Sequence, residues 1–483
     1  MSIEPDLTCI IADCAAIRLD QFDRCLAHLG ETDLNEFLRK LESRSYLELR
    51  GTTISSDLLN RMLEAVSRSA GQWNFDECTF PEPVELNDVT FTELDLTNAV
   101  FHADVRFSRS TFHGDLSILA TELHGHVRAD EATFTVGCTL DFHLPGSMME
   151  LSYSNFSASS HITVKGARFA NLESTVFQQR AQIRAEVGAL ALDGARFEDG
   201  ATIVNRGNTR TSLHKVHFAS PSTLSGGRVS TLAETDVSNL TLAEVDLGNC
   251  LFAAAHHLDE LRLEGHNPFS RPPSGVHSGW AWPPVWWWTS RRVVAEERIW
   301  RRKQRKSAGW EDHRADAVTP ERVSALYRSL RKAFEDNKNE PGAGDFYYGE
   351  MEMRRHAPST SRAEKVILGL YWAISGYGQR ASRALAAVTL LVAVLTTSLI
   401  GWGVPENAPT PAPGTVQVVQ LPKDRWTGDR LNKSLRLALG SVVFRDADQK
   451  LTDAGAWTVM AGRAIGPVLL ALAALAIRAR VKR

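Results

Sequence analysis

The chain has 483 residues, 43% hydrophobic and 23% charged, a globular composition that excludes a disordered or collagen-like polymer. Its net charge of −3 hides an uneven distribution: residues 75–252 hold 23 Asp and Glu against 12 Lys and Arg, a balance of −11, whereas residues 291–306 hold eight Arg and Lys against two Glu. Six cysteines over this length exclude a disulfide framework, and their clustering near the N-terminus favours a metal.

The opening MSIEPDLTC has neither a basic segment nor an apolar core, so no secretory signal is expected there. Cys9-x4-Cys14-x10-Cys25-x2-His28 follows. Two close pairs of ligands suit tetrahedral zinc, and four protein ligands make a closed, structural site without an open catalytic position. The alternative is that CIIADCAAI is an amphipathic segment with buried cysteines. DLNEFLRKLES and SSDLLNRMLEAVSR carry apolar residues at three- and four-residue spacing, which predicts helices within 31–68. Residues 1–70 thus read as a zinc-knuckle-like and helical cap.

Residues 71–255 are governed by a period. Phe91, Phe112, Phe134, Phe156, Phe177, Phe197 and Phe218 are spaced by 21, 22, 22, 21, 20 and 21 residues. Six positions after all but the first stands an aliphatic: Ile118, Leu140, Ile162, Ile183, Ile203 and Leu224. A residue that recurs at this interval stacks on its counterpart one coil away, and stacking creates a core that one coil lacks. A five-residue sub-spacing shows at both ends, as Leu86, Phe91, Leu96, Phe101 and as Val237, Leu242, Leu247, Phe252. LDLTN AVFHA and VDLGN CLFAA resemble the pentapeptide-repeat family. The resemblance implies a β-solenoid, the right-handed quadrilateral pentapeptide-repeat β-helix, with one coil per ~20 residues. Cys78, Cys138 and Cys250 are expected in its core.

Residues 256–370 form a Trp- and Arg-rich helical connector. Trp280, Trp282, Trp286, Trp287 and Trp288 beside Arg291 and Arg292 suit either a membrane-interface belt or a plug on the last coil. RRVVAEERIWRRKQRKSAGW reads as a basic helix that lies on anionic lipid or on the acidic coils. Thr319-Pro320-Glu321 starts a helix through ALYRSLRKAFEDNKN, with EPGAG as terminator and DFYYGEMEMRRH as a second helix. The hairpin resembles a single tetratricopeptide unit. It resembles more closely the connector after pentapeptide arrays in a group of bacterial, mostly actinobacterial, membrane proteins, where YR.LR, ED and FYY.EM..RR lead into SGYG.R and a membrane hairpin. CLAH and the Cys-rich N-terminus resemble that group too.

Residues 371–483 read as a two-span transmembrane hairpin. Residues 384–404 are 21 residues without a charge, and 454–477 are 24 residues whose one charge is Arg463. About 20 apolar residues cross a bilayer core. Arg380 and Arg383 before the first span, and Arg478, Arg480, Lys482 and Arg483 after the second, are expected to place both termini in the cytoplasm of a multi-pass protein of the bacterial plasma membrane, with the loop 405–453 outside or re-entering the bilayer. LNKSLRLALGSVVFR predicts a short amphipathic helix in that loop. Span, short helix, span is the layout of a two-helix channel pore, yet VVFRDADQKLTDAG, where a selectivity filter belongs, has no TVGYG-like sequence. Asp446, Asp448 and Asp453 suit either a cation-attracting ring or a solvated loop. Arg463 is a functional candidate inside a span, with snorkelling as its alternative. Gly462 and Gly466 would let helices pack closely.

SGYGQRA, 375–381, precedes the first span and so lies on the wrong side for a filter. Trp372 and Tyr377 are expected at headgroup level, Arg380 to fix orientation, and Gly376 and Gly378 to form a hinge. Gly376-x-Gly378-x-x-Ala381 also has the spacing of a dinucleotide-binding loop; VILGLYWAI before it is strand-compatible, but no acid follows about 20 residues on. No GxSxG, HExxH or P-loop occurs, so no catalytic residue is assigned and a non-enzymatic protein is expected. The first reading is a membrane-anchored scaffold or sensor, homo-oligomeric through its hairpin, whose cytosolic β-helix binds a protein partner. The alternative is a homo-oligomeric, channel-like effector gated by the cytosolic domain. A DNA-mimicking gyrase binder is implied by the resemblance and the acidic coils, but the tether argues against it, and nucleic acid is not favoured as a partner.

Overall fold

A computed structural model of the chain describes residues 8–43, 45–274, 276–278, 285–287, 289–303, 318–405, 426–443 and 451–481. Trp280, Trp282, Trp288, Asp446, Asp448, Lys482, Arg483 and the Pro-rich stretch beyond Pro405 lie outside them. The chain divides into two compact units, Met1–Val318 and Thr319–Arg483.

The first unit is a β-solenoid. Its strands form two parallel sheets, one of 19 strands and one of eight. The sequence period becomes files of stacked side chains. The rings from Phe91 to Phe218 pair in register, with centroids 4.4–5.6 Å apart and planes within 13° of parallel. Ile118, Leu140, Ile162, Ile183, Ile203, Leu224 and Leu242 make a second file. A third, in the smaller sheet, runs through Val84, Val105, Val127, Met149, Ala170, Leu190, Thr211 and Val229. All are buried. Uneven spacing is absorbed locally: pairing shifts between Leu140 and Phe142 where they meet the longer strand Leu116–Leu123, a bulge that takes up an extra residue.

One corner of each coil is left-handed. Asp88, Arg109, Glu131, Tyr153, Ser174, Lys215 and Glu234 have φ between 54° and 59°. Each such side chain costs about 1–2 kcal/mol, which the stacked core offsets. Buried hydroxyls close the corners. Ser110 Oγ accepts from Val89 N (3.1 Å) and donates to Leu86 O (2.5 Å), one coil earlier. Ser154 does so with Ala132 N and Ala129 O, and Thr235 with Val216 N and Leu213 O. Backbone groups that water cannot reach are thereby paired.

The N-terminal edge differs from the purely helical expectation. Helix α1 (Glu31–Lys40) and helix α2 (Ser56–Ala65) form, but Tyr46–Glu48 between them is a strand paired with Ser69–Asn74. Leu47 and Leu49 alternate inward, so this segment follows the two-residue period of a strand. Ser55 Oγ caps α2 by accepting from Leu58 N.

At the other end helix α3 (Ala295–Lys303) plugs the last coil. Phe252 N and Ala253 N donate to Glu296 Oε1 at 2.5 and 2.7 Å, so a carboxyl replaces the carbonyls a further coil would supply. Arg298 Nη1 donates to Asn249 Oδ1 (2.9 Å) and Ser270 Oγ (2.6 Å). Glu297 is buried between Arg291 and Arg301, at 2.6 and 2.5 Å. Of the two placements open for the basic segment, these residues take the one on the coils.

In the second unit helix α4 (Pro320–Asp336) and helix α5 (Glu340–His356) pack on Tyr327, Phe334 and Phe346. EPGAG is the first turn of α5, not a terminator: Asn339 Oδ1 accepts from Gly342 N at 3.1 Å, and proline is tolerated in a first turn. VILGLYWAI lies in helix α6 (Arg362–Ser375), capped by Ser361 Oγ. Helix α7 (Ala381–Ser398) continues into a wider turn at Leu399–Gly403. Helix α8 (Gly428–Val442) packs on α7 and on helix α9 (Asp453–Val481).

Candidate metal centre and the joint before the apolar helices

The N-terminal ligands converge. A one-bridge hairpin, Thr8 opposite Ile17, brings Cys9 and Cys14 together, with Asp13 left-handed at φ 64°. A short 3-10 turn, Leu26–His28, does the same for Cys25 and His28. The three sulfurs and the imidazole nitrogen all lie within 4.8 Å of one another. Cys14 Sγ to Cys25 Sγ is 3.8 Å, Cys9 Sγ to His28 Nδ1 3.5 Å and Cys25 Sγ to His28 Nδ1 3.2 Å. With zinc–sulfur bonds of about 2.3 Å, a tetrahedral site has sulfur–sulfur edges of about 3.8 Å. The cluster is therefore close enough to bind a metal ion. Burial alone would raise the Cys9 thiol, but backbone donors from Cys25 and Ile11 and the His28 ring bring it down to about 6. Burial and the neighbouring Cys14 and Cys9 sulfurs push Cys25 up to about 12. Ile17 N donates to Arg50 O at 3.0 Å, which ties the knuckle to the first coil. Cys78, Cys138 and Cys250 are buried among the coils, as expected.

The residues of SGYGQRA come together differently from a headgroup-level hinge. Gly376, Tyr377 and Gly378 are three successive left-handed residues (φ 54°, 55° and 71°) that turn the chain between α6 and α7. Tyr377 is 0% exposed, and its hydroxyl donates to Glu352 Oε2 at 3.0 Å. Burial, and then the Glu352 charge, push that hydroxyl far above the ordinary tyrosine range. Glu352 also pairs with Arg355 at 3.0 Å. Trp372 Nε1 donates to Tyr348 Oη at 2.8 Å, and the guanidiniums of Arg355 and Arg383 lie 4.7 and 5.3 Å from its ring. Arg380 reaches Asp345 at 3.6 Å. The joint is packed rather than loose, because α5 supplies partners that sequence neighbours do not reveal. A Cβ on Gly376 would meet Arg380 Cγ at 2.7 Å, and one on Gly378 would meet Tyr371 Oη at 2.7 Å. Gly376→Ala is therefore expected to destabilise by about 1–2 kcal/mol through φ alone, with Gly376→Asn costing less. Thermal unfolding of the full chain in detergent checks this, and equal midpoints for Ala and wild type would contradict a locked turn.

Among the described residues, two helices are long and apolar enough to cross a membrane, Ala381–Gly403 and Asp453–Arg478. Only 28% of each apolar window is buried inside the protein. Leu390, Val394, Trp457, Val468 and Leu475 face outward. The inward seam is small: a Cβ on Gly462 would meet Ser441 Oγ at 2.6 Å, and one on Gly466 would meet Val442 Cα at 2.7 Å. Arg463 is half-buried on α9. The carbonyls that end the first apolar helix are satisfied by Arg430 Nη2, to Ile400 O (3.1 Å) and Val404 O (2.7 Å), and by Thr452 Oγ1, to Trp402 O (2.5 Å). Unpaired carbonyls are not tolerated in lipid.

Residues 75–120 match the family model of pentapeptide repeats (9 copies). The solenoid is a pentapeptide-repeat fold, and its in-register files carry the same architecture to Leu263, far beyond the matched stretch. No curated protein and no solved structure matches the chain.

Proposed function

We propose that this protein is a non-enzymatic, membrane-anchored scaffold or sensor of the bacterial plasma membrane, whose cytosolic solenoid binds a protein partner. Pentapeptide-repeat solenoids commonly serve protein interaction. The observation that carries the anchoring is the outward apolar surface of α7 and α9, opposite an inward seam of glycine, serine and alanine. Lipid, not water, suits that surface. Basic residues at Arg380, Arg383 and Arg478 support a cytoplasmic location for both termini through the positive-inside rule.

A second reading, a homo-oligomeric channel-like effector, is favoured by one feature: α8 is a short helix held between two long apolar ones. Mass measurement of the detergent-solubilised chain and conductance in planar bilayers separate the two. A non-conducting protein supports the scaffold, and a conducting oligomer supports the effector. Gyrase binding by DNA mimicry is not favoured. Carboxylates along the solenoid pair with cations in adjacent coils, as Asp88 with Arg109 at 2.7 Å and Asp246 with Arg228 at 3.3 Å, so the acidic surface is not an unbroken strip.

The Cys9, Cys14, Cys25 and His28 cluster is assigned to structural zinc. When bound, the ion would cross-link a segment that has little core of its own. Metal analysis of the full chain is expected to give one zinc per protein. Cys25→Ser is expected to lose it and to expose residues 8–28 to protease. Purified protein without stoichiometric zinc would remove the assignment.

A further inference from the structure

Helix α6 is inside out for a water-soluble protein. Its inward face carries the polar contacts: Glu364 with Arg354 at 2.6 Å, and Trp372 with Tyr348. Its outward face carries Val366, Ile367 and Leu370, which are 63%, 65% and 58% exposed, with exposed Ala363 and Ala373 beside them. At 100° per residue these five positions share one side of the helix. Exposed Arg362 and half-buried Lys365 lie together along one edge of the ridge, and Glu364, paired with Arg354, lies beyond the other.

We propose that this ridge is a membrane-surface contact: α6 lies at the headgroup–acyl boundary of an anionic bilayer, with Val366, Ile367 and Leu370 inserted into lipid. The proposal rests on the membrane reading of α7 and α9 and adds a third element to it. Four arguments carry it. The helix has 14 residues, about 21 Å at 1.5 Å each, too short to cross a bilayer core of about 30 Å. It is not an extension of the first span, because Gly376, Tyr377 and Gly378 turn the chain before α7 begins. That turn is packed, so the ridge is held against the same unit that carries the apolar helices, whose lipid-facing surface resumes at Leu385. A basic edge beside an apolar stripe suits an anionic lipid surface. The consequence is mechanical: a protein event on α5 reaches the bilayer through α6 and not through a free hinge.

The test places a photoreactive benzoylphenylalanine at one position of the full chain, reconstituted in vesicles of phosphatidylcholine and phosphatidylglycerol. The positions are Leu370 on the ridge, Leu390 on the first apolar helix, and Tyr153 on the solenoid. Irradiation is expected to add the mass of one phospholipid at 370 and at 390 and none at 153. Lipid at 390 with none at 370 would overturn the ridge while leaving the spans intact. A covalent dimer through 370 without lipid would overturn it in favour of a second copy of the chain. No lipid at 390 would overturn the membrane reading itself, and the ridge with it.

Discussion

Phe177→Ala is expected to cost about 3–5 kcal/mol, the range for removing a buried aromatic ring. Phe177 is fully buried, with Phe156 and Phe197 each 4.9 Å away and nearly parallel. Truncation removes two stacked contacts at once and leaves a void that neighbouring coils cannot fill without breaking register. Aromatic pairs add about 0.5–1.5 kcal/mol each beyond burial. A solenoid is stabilised mainly through nearest-neighbour interfaces, so a central defect uncouples the coils on either side. The denaturation curve of the variant should therefore both shift and broaden or split, whereas Phe177→Leu should shift it less and keep it single. Glu173→Ala, nearby on the surface, is expected to stay within about 0.5 kcal/mol of wild type. A Phe177→Ala curve that overlays wild type would contradict the stacked file as the source of stability.

The phenylalanine period was legible because stacking constrains one buried position per coil and leaves the rest free. That same freedom explains why the family match stops at residue 120 while the coils continue. The corners were not legible. Rules of thumb reserve left-handed backbone for glycine and asparagine, yet Arg109, Glu131, Tyr153 and Lys215 occupy it here, forced by the coils above and below. The hydroxyls of Ser110, Ser154 and Thr235 are illegible for a similar reason: a serine reads as surface until its place in a stack is known. The Cys/His cluster is readable because two close pairs are a local signal, although only the fold brings the pairs together. The packing around SGYGQRA is not legible either, because glycine reports what backbone is permitted and not that Glu352, Tyr348 and Tyr371 close around Tyr377. The β-branched and aromatic run in α6 likewise looked strand-compatible, and the capping of Ser361 together with packing on α5 decided for helix.

The plug at the solenoid's end is expected to weaken as pH rises. Glu296 is 0% exposed; burial raises its carboxyl from an ordinary 4.5 to about 7, despite the backbone donors of Phe252 and Ala253. Cys250, fully buried beside it, is itself pushed well up by burial and by the Glu296 charge. Among the described residues Oε2 has no hydrogen-bond partner, so ionisation would bury a charge that the Oε1 contacts only partly offset. The sign follows from proton binding: the folded state holds this proton more tightly than the unfolded chain, so its stabilising effect is complete below about pH 4.5 and is lost as pH rises through about 7. The difference amounts to about 3 kcal/mol across that interval. Glu296→Gln keeps an oxygen for the two backbone donors and cannot ionise. Its stability relative to wild type should therefore improve from pH 5 to about pH 7 and level off by pH 8, although the amide buries new donors at every pH. Denaturant titration of both proteins across that range measures the difference directly, free of the background from other groups. Parallel pH profiles would show that Glu296 does not titrate between those limits, and a carboxyl buried at the open end of the coils would then have to be ionised at both.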